Sequence, residues 1–348
     1  MSRYAAAHSN PPGPCDQRPT ALQIVHDNDL EGKLTGKVAV ITGASGGLGI
    51  EIVRALAATG VTLYLTARDI PKAEEALGDV FDKDRDRVHL VQMDHISLSS
   101  VRDAAATILA ETSAANTGVN MLICNAAVMC LPNQEVTGDG YEVQFQTNHL
   151  SHFLLFTLLR PAMVSAAAAA ASESPTFHSR VVMVSASGHR AHGLNPSDNY
   201  NFEKGGYHPW AAYAQSKTAN IYMASEIERR YGRSGVHGLS LHPGIIATGL
   251  SRFVPQEQVA AMLSDENILR GLKGAEQGAA MILYAAVDRE WEGRGGRYLV
   301  DCGEAVRGDD NGEVADLTYV SYTYDEESEG RLWRDSERMV GIVGERDV

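Results

Sequence analysis

The chain has 348 residues, 44% of them hydrophobic and 21% charged, and a formal net charge of −14. That composition is ordinary for a globular protein with a sizeable core. The acidic balance weighs against nucleic acid and anionic membrane as main partners, since both need a basic face. Its four cysteines, Cys15, Cys124, Cys130 and Cys302, lack the spacing of a disulfide framework or a metal knuckle. They read as free thiols in a reducing, cytoplasmic setting, and no metal site is expected.

Residues 1–32 read as a flexible N-terminal arm: the first twenty are polar, carry Pro11, Pro12 and Pro14, and contain no apolar run of secretory type. From Lys37 a buried strand, Val38–Ile41, enters a glycine-rich turn, and Ile50–Ala58 has helical spacing with Gly60 as its stop. A second strand, Val61–Leu65, ends at Thr66-Ala67-Arg68, and the helix Pro71–Leu77 follows with proline in its first turn. The rhythm then repeats. Strand Val88–Val91 ends at Asp94 before helix Leu98–Glu111, and strand Met121–Cys124 ends at Asn125 before a long helix, Tyr141–Met163. Strand Val181–Val184 ends at Ser185 before helix Ala211–Tyr231, and strand Val236–Leu241 runs into His242-Pro243-Gly244.

This alternation predicts right-handed βαβ crossovers and an α/β fold, a Rossmann-type doubly wound parallel sheet in a single domain over 33–305. The most apolar stretch, Leu154–Ala171, is interrupted by Arg160 and Pro161 and rich in alanine, so it reads as a buried helix rather than a membrane span. A C-terminal tail, 306–348, carries one helix around Ser328–Met339. Ligands of such sheets bind beyond the carboxyl ends of the strands, and the polar residues of this chain fall at those ends.

The first turn is Thr42-Gly43-Ala44-Ser45-Gly46-Gly47-Leu48-Gly49. Glycine at 43, 47 and 49 lets the backbone turn sharply and approach a pyrophosphate, with the helix amides near Ser45, Leu48 and Gly49 aimed at its charge. Lying between the first strand and the first helix, it reads as a dinucleotide turn. The second strand selects the cofactor: Arg68 at its tip, with no acid before Asp69, suits a 2′-phosphate and favours NADP(H). Tyr213 and Lys217 stand four apart on one helix face. A phenol titrates near 10, so a base working near neutrality needs a drop of roughly three units, about 4 kcal/mol, which Lys217 and an oxidised nicotinamide would supply jointly. The pair His189 and His192 reads as solvated loop histidines, and His149 and His152 as helix-packing residues.

Together these motifs resemble the short-chain dehydrogenase/reductase family over about residues 33–305, in its retinol-dehydrogenase-like and WW-domain-oxidoreductase-like branch. The matching residues are Thr42–Gly49, Asp94, Asn125-Ala126-Ala127, Asn148 within Thr147-Asn148-His149-Leu150, Tyr213-xxx-Lys217, and Pro243–Thr248. The resemblance implies that Tyr213 donates the proton in reduction and that Lys217 lowers its pKa and bonds the nicotinamide ribose. It further implies that Asn148 holds a water in a proton relay, Asp94 contacts the adenine, Asn125 and Ala126 sit against the adenosine ribose, and Ile246 and Thr248 hold the carboxamide and phosphate. It also implies a homo-oligomer built on the long helices.

Two departures stand out. Asn-Ala-Gly of the family is Asn125-Ala126-Ala127 here, and the family's catalytic serine falls on Ala186, within Val184-Ser185-Ala186-Ser187. Ser185 or Ser187 can replace it if the loop shifts by a residue. The expected activity is NADP(H)-dependent transfer of hydride to or from a lipophilic ketone or aldehyde, in a pocket walled by the loops 188–210 and 249–272. The alternative is a non-redox role, a cyclase, isomerase or regulatory binder, and it rests on Ala186.

Overall fold

In the computed structural model, which describes residues 2–172 and 175–342, the apolar runs join one eight-stranded sheet of order β3-β2-β1-β4-β5-β6-β7-β8. The strands are β1 (Val38–Thr42), β2 (Thr62–Ala67), β3 (Val88–Gln92), β4 (Met121–Cys124), β5 (Ser179–Val184), β6 (Val236–Leu241), β7 (Arg297–Val300) and β8 (Gly303–Glu304). β1 to β7 are parallel, and β8 turns back antiparallel on β7. β1 and β4 are buried at every position, which is why they read as unbroken apolar runs rather than alternating ones. The chain leaves β1 toward β2 and β3, then returns to β4 on the other side. The crevice of the sheet therefore opens at the carboxyl ends of β1 and β4.

Helices cover both faces. On one lie α1 (Ala21–Asp27), α2 (Leu48–Ala58) and, later in the chain, the alanine-rich Ala275–Val287. Beyond β2 comes α3 (Ile70–Leu77). The opposite face carries α4 (Leu98–Ala114), α5 (Val143–Ala170), α6 (Pro209–Tyr231) and the C-terminal helix. After β6 come α7 (Gln256–Met262), α8 (Glu266–Gly271), α9 (Ala275–Val287) and α10 (Glu326–Met339). By length and composition α5 is apolar enough to cross a bilayer; here Phe153, Leu154, Phe156, Leu159 and Met163 are buried in the helix layer against α4 and the sheet. Its first turns widen at Gln146–Leu150, where the Ser151 amide reaches back five residues to the Gln146 carbonyl.

Most strand and helix assignments made from sequence are met within a few residues; the helix read as Tyr141–Met163 runs on to Ala170, and β7, β8, α1, α7, α8 and α9 add to them. α9 is buried from Gln277 to Val287, so it is apolar all round and shows no helical period. The segment 1–32, expected as a loose arm, is instead packed over its described residues. Thr20 caps α1 by accepting from the Gln23 amide, Ile24 and Val25 are fully buried, and Tyr4 stands edge-on to Tyr284. The prolines mark irregular backbone, but apolar anchors on either side hold that backbone in place.

The tail is also built in as far as residue 342; residues 343–348 of the expected tail lie outside the described part. Asp325 caps α10 by accepting from the Ser328 amide, and Trp333 packs against Phe153, Phe156 and Tyr231 with ring centroids 4.9, 6.2 and 6.1 Å away. Removing such a ring leaves a cavity at the junction of α5, α6 and α10. Trp333→Ala is expected to lower unfolding free energy by about 3–5 kcal/mol, read from urea denaturation; a loss under about 1 kcal/mol would show that α10 is an accessory element.

Candidate active site

Thr42 ends β1, and its hydroxyl oxygen accepts the amides of Asn125 and Ala126, each at 3.0 Å. The Asn125 carboxamide answers by donating to the Thr42 and Gly43 carbonyls, both at 3.1 Å. The tip of β4 is thus laced to the turn after β1. Asn125, expected against a ribose, spends its NH2 group on this lacing. Gly43 has φ 67°, and a Cβ there would stand 2.8 Å from the Ala126 Cα. Gly47, at φ 52°, precedes α2, and a Cβ on it would come within 3.4 Å of the Thr248 side chain. The turn holding Ser45 and Gly47, the first residues of α2 (Leu48 and Gly49), and Thr248 from beyond β6 therefore enclose a backbone-lined cradle at a helix N-terminus, suited to a pyrophosphate. Ile246 pairs beside it with Lys273, whose ammonium lies 2.7 Å from Asp301.

Arg68 is exposed at the end of β2, on a cleft of about 410 Å³ shared with Asp69, Ile70, Pro71 and Gln92. Asp69 caps α3 by accepting from the Lys72 amide. On the neighbouring strand end, Asp94 accepts from the Ile96 amide through Oδ1 and donates its own amide to Ser100. These two residues border the β2–β3 end of the crevice.

The candidate reactive pair comes from α6, which starts at Pro209 with His208 accepting from the Ala211 amide. Tyr213 and Lys217 are buried, with the Lys217 Nζ 5.5 Å from the Tyr213 ring centroid and donating to the Val184 carbonyl at 2.9 Å. Burial pushes Lys217 down to about 7 and the Tyr213 phenol up. The expected lowering of the phenol by Lys217 is thus opposed by desolvation, which favours the neutral form of each group.

The loop after β5 passes directly over the phenol: a Cβ on Gly188 would stand 3.4 Å from the Tyr213 ring. Ser185 is committed, its hydroxyl donating to the Lys217 carbonyl at 2.7 Å. Ala186 presents a methyl, and Ser187 opens a short helical turn, its hydroxyl making no hydrogen bond among the described residues. Of the two candidate serines, Ser187 has the free donor. Asn148, expected to hold a water, uses its carboxamide elsewhere: Oδ1 accepts from the Val128 amide, and Nδ2 donates to the Val128 carbonyl and to Ser216.

His189 is not solvated as expected. It is fully buried, paired with the Ala186 carbonyl and with Thr323, and pushed down by burial to about 4. Thr323 lies far along the chain, so nothing local announced the contact. His192 is half-buried against Asn195. The neighbouring Arg190 anchors the tail, donating to the Asp309, Glu313 and Thr318 carbonyls and to Asn311 and Asp316. Asp335 of α10 accepts from Ser197 and Tyr200 of the same loop. The tail therefore buttresses the loop 188–210. On the other side Trp210 stands edge-on to Tyr213, centroids 6.2 Å apart, and donates to Gln258 of α7 at 3.0 Å. The loop 249–272, expected as an apolar lid, carries no buried residue in its helical segments and exposes Phe253, Met262, Leu263 and Leu269. Ser216 and Arg190 drew no notice in the sequence, because each acts through a partner distant in the chain.

With this geometry in view, the comparisons with known proteins agree. The family model for short chain dehydrogenase matches residues 37–172. The chain is 44% identical to short-chain dehydrogenase/reductase prx1 of Penicillium roqueforti, over 98% of this chain and 95% of that protein. It is 31% identical to the human WW domain-containing oxidoreductase, over 93% of this chain and 72% of that protein. A crystal structure of an uncharacterized protein from Mycobacterium paratuberculosis superposes with TM-score 0.64 at 28% identity, over 94% of this chain and 98% of that one. The chain belongs to the short-chain dehydrogenase/reductase family and is an oxidoreductase of that family.

The two serines can be separated by experiment. Ser187→Ala is expected to lower kcat by about 10²–10³-fold, the usual cost of one donor to a developing oxyanion. Ser185→Ala should act mainly on stability, measured by thermal unfolding. The reverse pattern would place the donor at Ser185.

Proposed function

We propose that the protein is an NADP(H)-dependent carbonyl reductase for lipophilic ketones or aldehydes, with alcohol oxidation as the reverse reaction on the same residues. The observation that carries this reading is the buried Tyr213–Lys217 pair beneath the Ser187 loop. Burial keeps the phenol protonated, and a protonated phenol is an acid. The donor state thus suits reduction.

The cradle of Ser45, Gly47, Leu48, Gly49 and Thr248 fits a dinucleotide pyrophosphate, Arg68 fits a 2′-phosphate, and Ile246, paired with Lys273 beside the cradle, fits the carboxamide end. When bound, the nicotinamide supplies or accepts the hydride. Tyr213 gives its Oη proton to the substrate oxygen, while Ser187 donates a hydrogen bond to the same oxygen. As an ammonium, Lys217 has one N–H on the Val184 carbonyl and two left for sugar hydroxyls. In this reading the Ser187 hydroxyl supplies the donor that Ala186 lacks, which favours hydride transfer over a non-redox role. Trp210 and the apolar lid residues favour a lipophilic substrate. Since α10 already lies on α6, a homo-oligomer would use a face other than that one.

Three measurements test this. Arg68→Ala is expected to weaken NADPH by about tenfold or more, the worth of a charge-assisted bond, and to leave NADH within about twofold, by fluorescence titration. Equal losses for both would contradict the cofactor assignment. The pH profile of reduction is expected to fall as pH rises through about 7, because Lys217 is charged below that value and neutral above it. Tyr213→Phe should lower kcat by about 10²–10⁴-fold at the optimum; reduction that rises with pH, or survives in that variant, would exclude Tyr213 as the acid.

A further inference from the structure

The Thr42 hydroxyl also touches a residue outside the reactive pair. His152, on α5, is fully buried, with Nε2 2.8 Å from Thr42 Oγ1 and Nδ1 2.9 Å from the Asn148 carbonyl oxygen. A carbonyl only accepts, so Nδ1 carries the proton. A second ring proton is disfavoured by burial, by His95 with its ring 4.9 Å away, and by Lys217 of α6. Nε2 is therefore bare and accepts from the Thr42 hydroxyl, whose oxygen takes the Asn125 and Ala126 amides. Every polar atom in this knot is matched, and only one tautomer allows it.

The chain of bonds continues toward the phenol. Asn148 sits in the widened Gln146–Leu150 turn, a departure from the regular helix ladder of a kind frequent at functional sites. Its carboxamide donates to Ser216, and the Ser216 hydroxyl donates to the backbone carbonyl of Tyr213 at 2.7 Å. We propose that His152 is a positioning residue for Tyr213: as the Nδ1–H tautomer it fixes the Asn148 turn against Thr42, and through Asn148 and Ser216 it sets the place of the phenol relative to the glycine turn. The inference rests on Tyr213 being the acid of an oxidoreductase. A ring of equal volume without nitrogens would fill the space yet remove the donor to the Asn148 carbonyl and the acceptor for the Thr42 hydroxyl.

Two experiments on the full chain decide it. With 15N-labelled histidine, the His152 ring resonances are assigned by their loss in His152→Phe, or in His152→Asn if the first variant does not fold. They are expected to show the Nδ1–H tautomer, unchanged from pH 5.5 to 8 and displaced by Thr42→Val. An Nε2–H tautomer, or an imidazolium in that range, would overturn the inference. In turnover of menadione and 4-nitrobenzaldehyde with NADPH, His152→Phe is expected to lose about tenfold or more in kcat, as for a misplaced reacting group, with KM for NADPH within about threefold. His152→Asn, which keeps a donor toward Asn148, should recover most of the loss. Wild-type kcat in the Phe variant, or no recovery in the Asn variant, would reduce His152 to packing. A wild-type chain that oxidises NADPH with neither carbonyl would count against the reductase reading instead, and the tautomer measurement would still decide the hydrogen-bond chain.

Discussion

A phenol and an ammonium are buried one helical turn apart in α6, under the end of β5, and much of the active edge is arranged around the cost of placing them there. Taking a charge out of water is unfavourable unless partners replace the solvent. Lys217 has one such partner in the Val184 carbonyl, and desolvation brings its titration near neutrality. Tyr213 meets the same condition by holding its proton. The sheet supplies the framework: the lacing of Thr42 to Asn125 and Ala126 aligns the ends of β1 and β4, and the turns after β5 and β6 close in from the other side.

The fold was largely legible because its signals are local. Buried parallel strands leave unbroken apolar runs, and the turn Thr42–Gly49 announces the first crossover by glycine placement alone. α9 escaped notice since a helix buried all round has no polar stripe, and β7 because four residues following a glycine-rich stretch make a faint strand signal. The candidate site was legible where chemistry and spacing coincide, as in Tyr213 and Lys217. It was obscure wherever burial depends on a distant segment. His189 looked like a loop histidine until Thr323 covered it, and the choice between Ser185 and Ser187 turned on one hydrogen bond to the Lys217 carbonyl.

The side proposed for the substrate is made from three separated pieces of chain. The loop 188–210 is held from behind by Arg190, Asp335 and Tyr322, while its Trp210 reaches across to Gln258 on an exposed lid. This places a rigid wall opposite a lightly anchored one, an arrangement in which the pocket's outline can vary while the reactive residues stay fixed. It gives the C-terminal tail a defined place: the tail braces the loop 188–210 from behind.

The most direct test is a crystal structure with NADPH bound. The expected result is a pyrophosphate on the amides opening α2, the 2′-phosphate beside Arg68, and the nicotinamide ring flanked by Ile246 with the Tyr213 and Ser187 hydroxyls facing its reactive edge. A dinucleotide bound elsewhere, or a ring turned away from both hydroxyls, would contradict the assignment of Tyr213 as the proton donor.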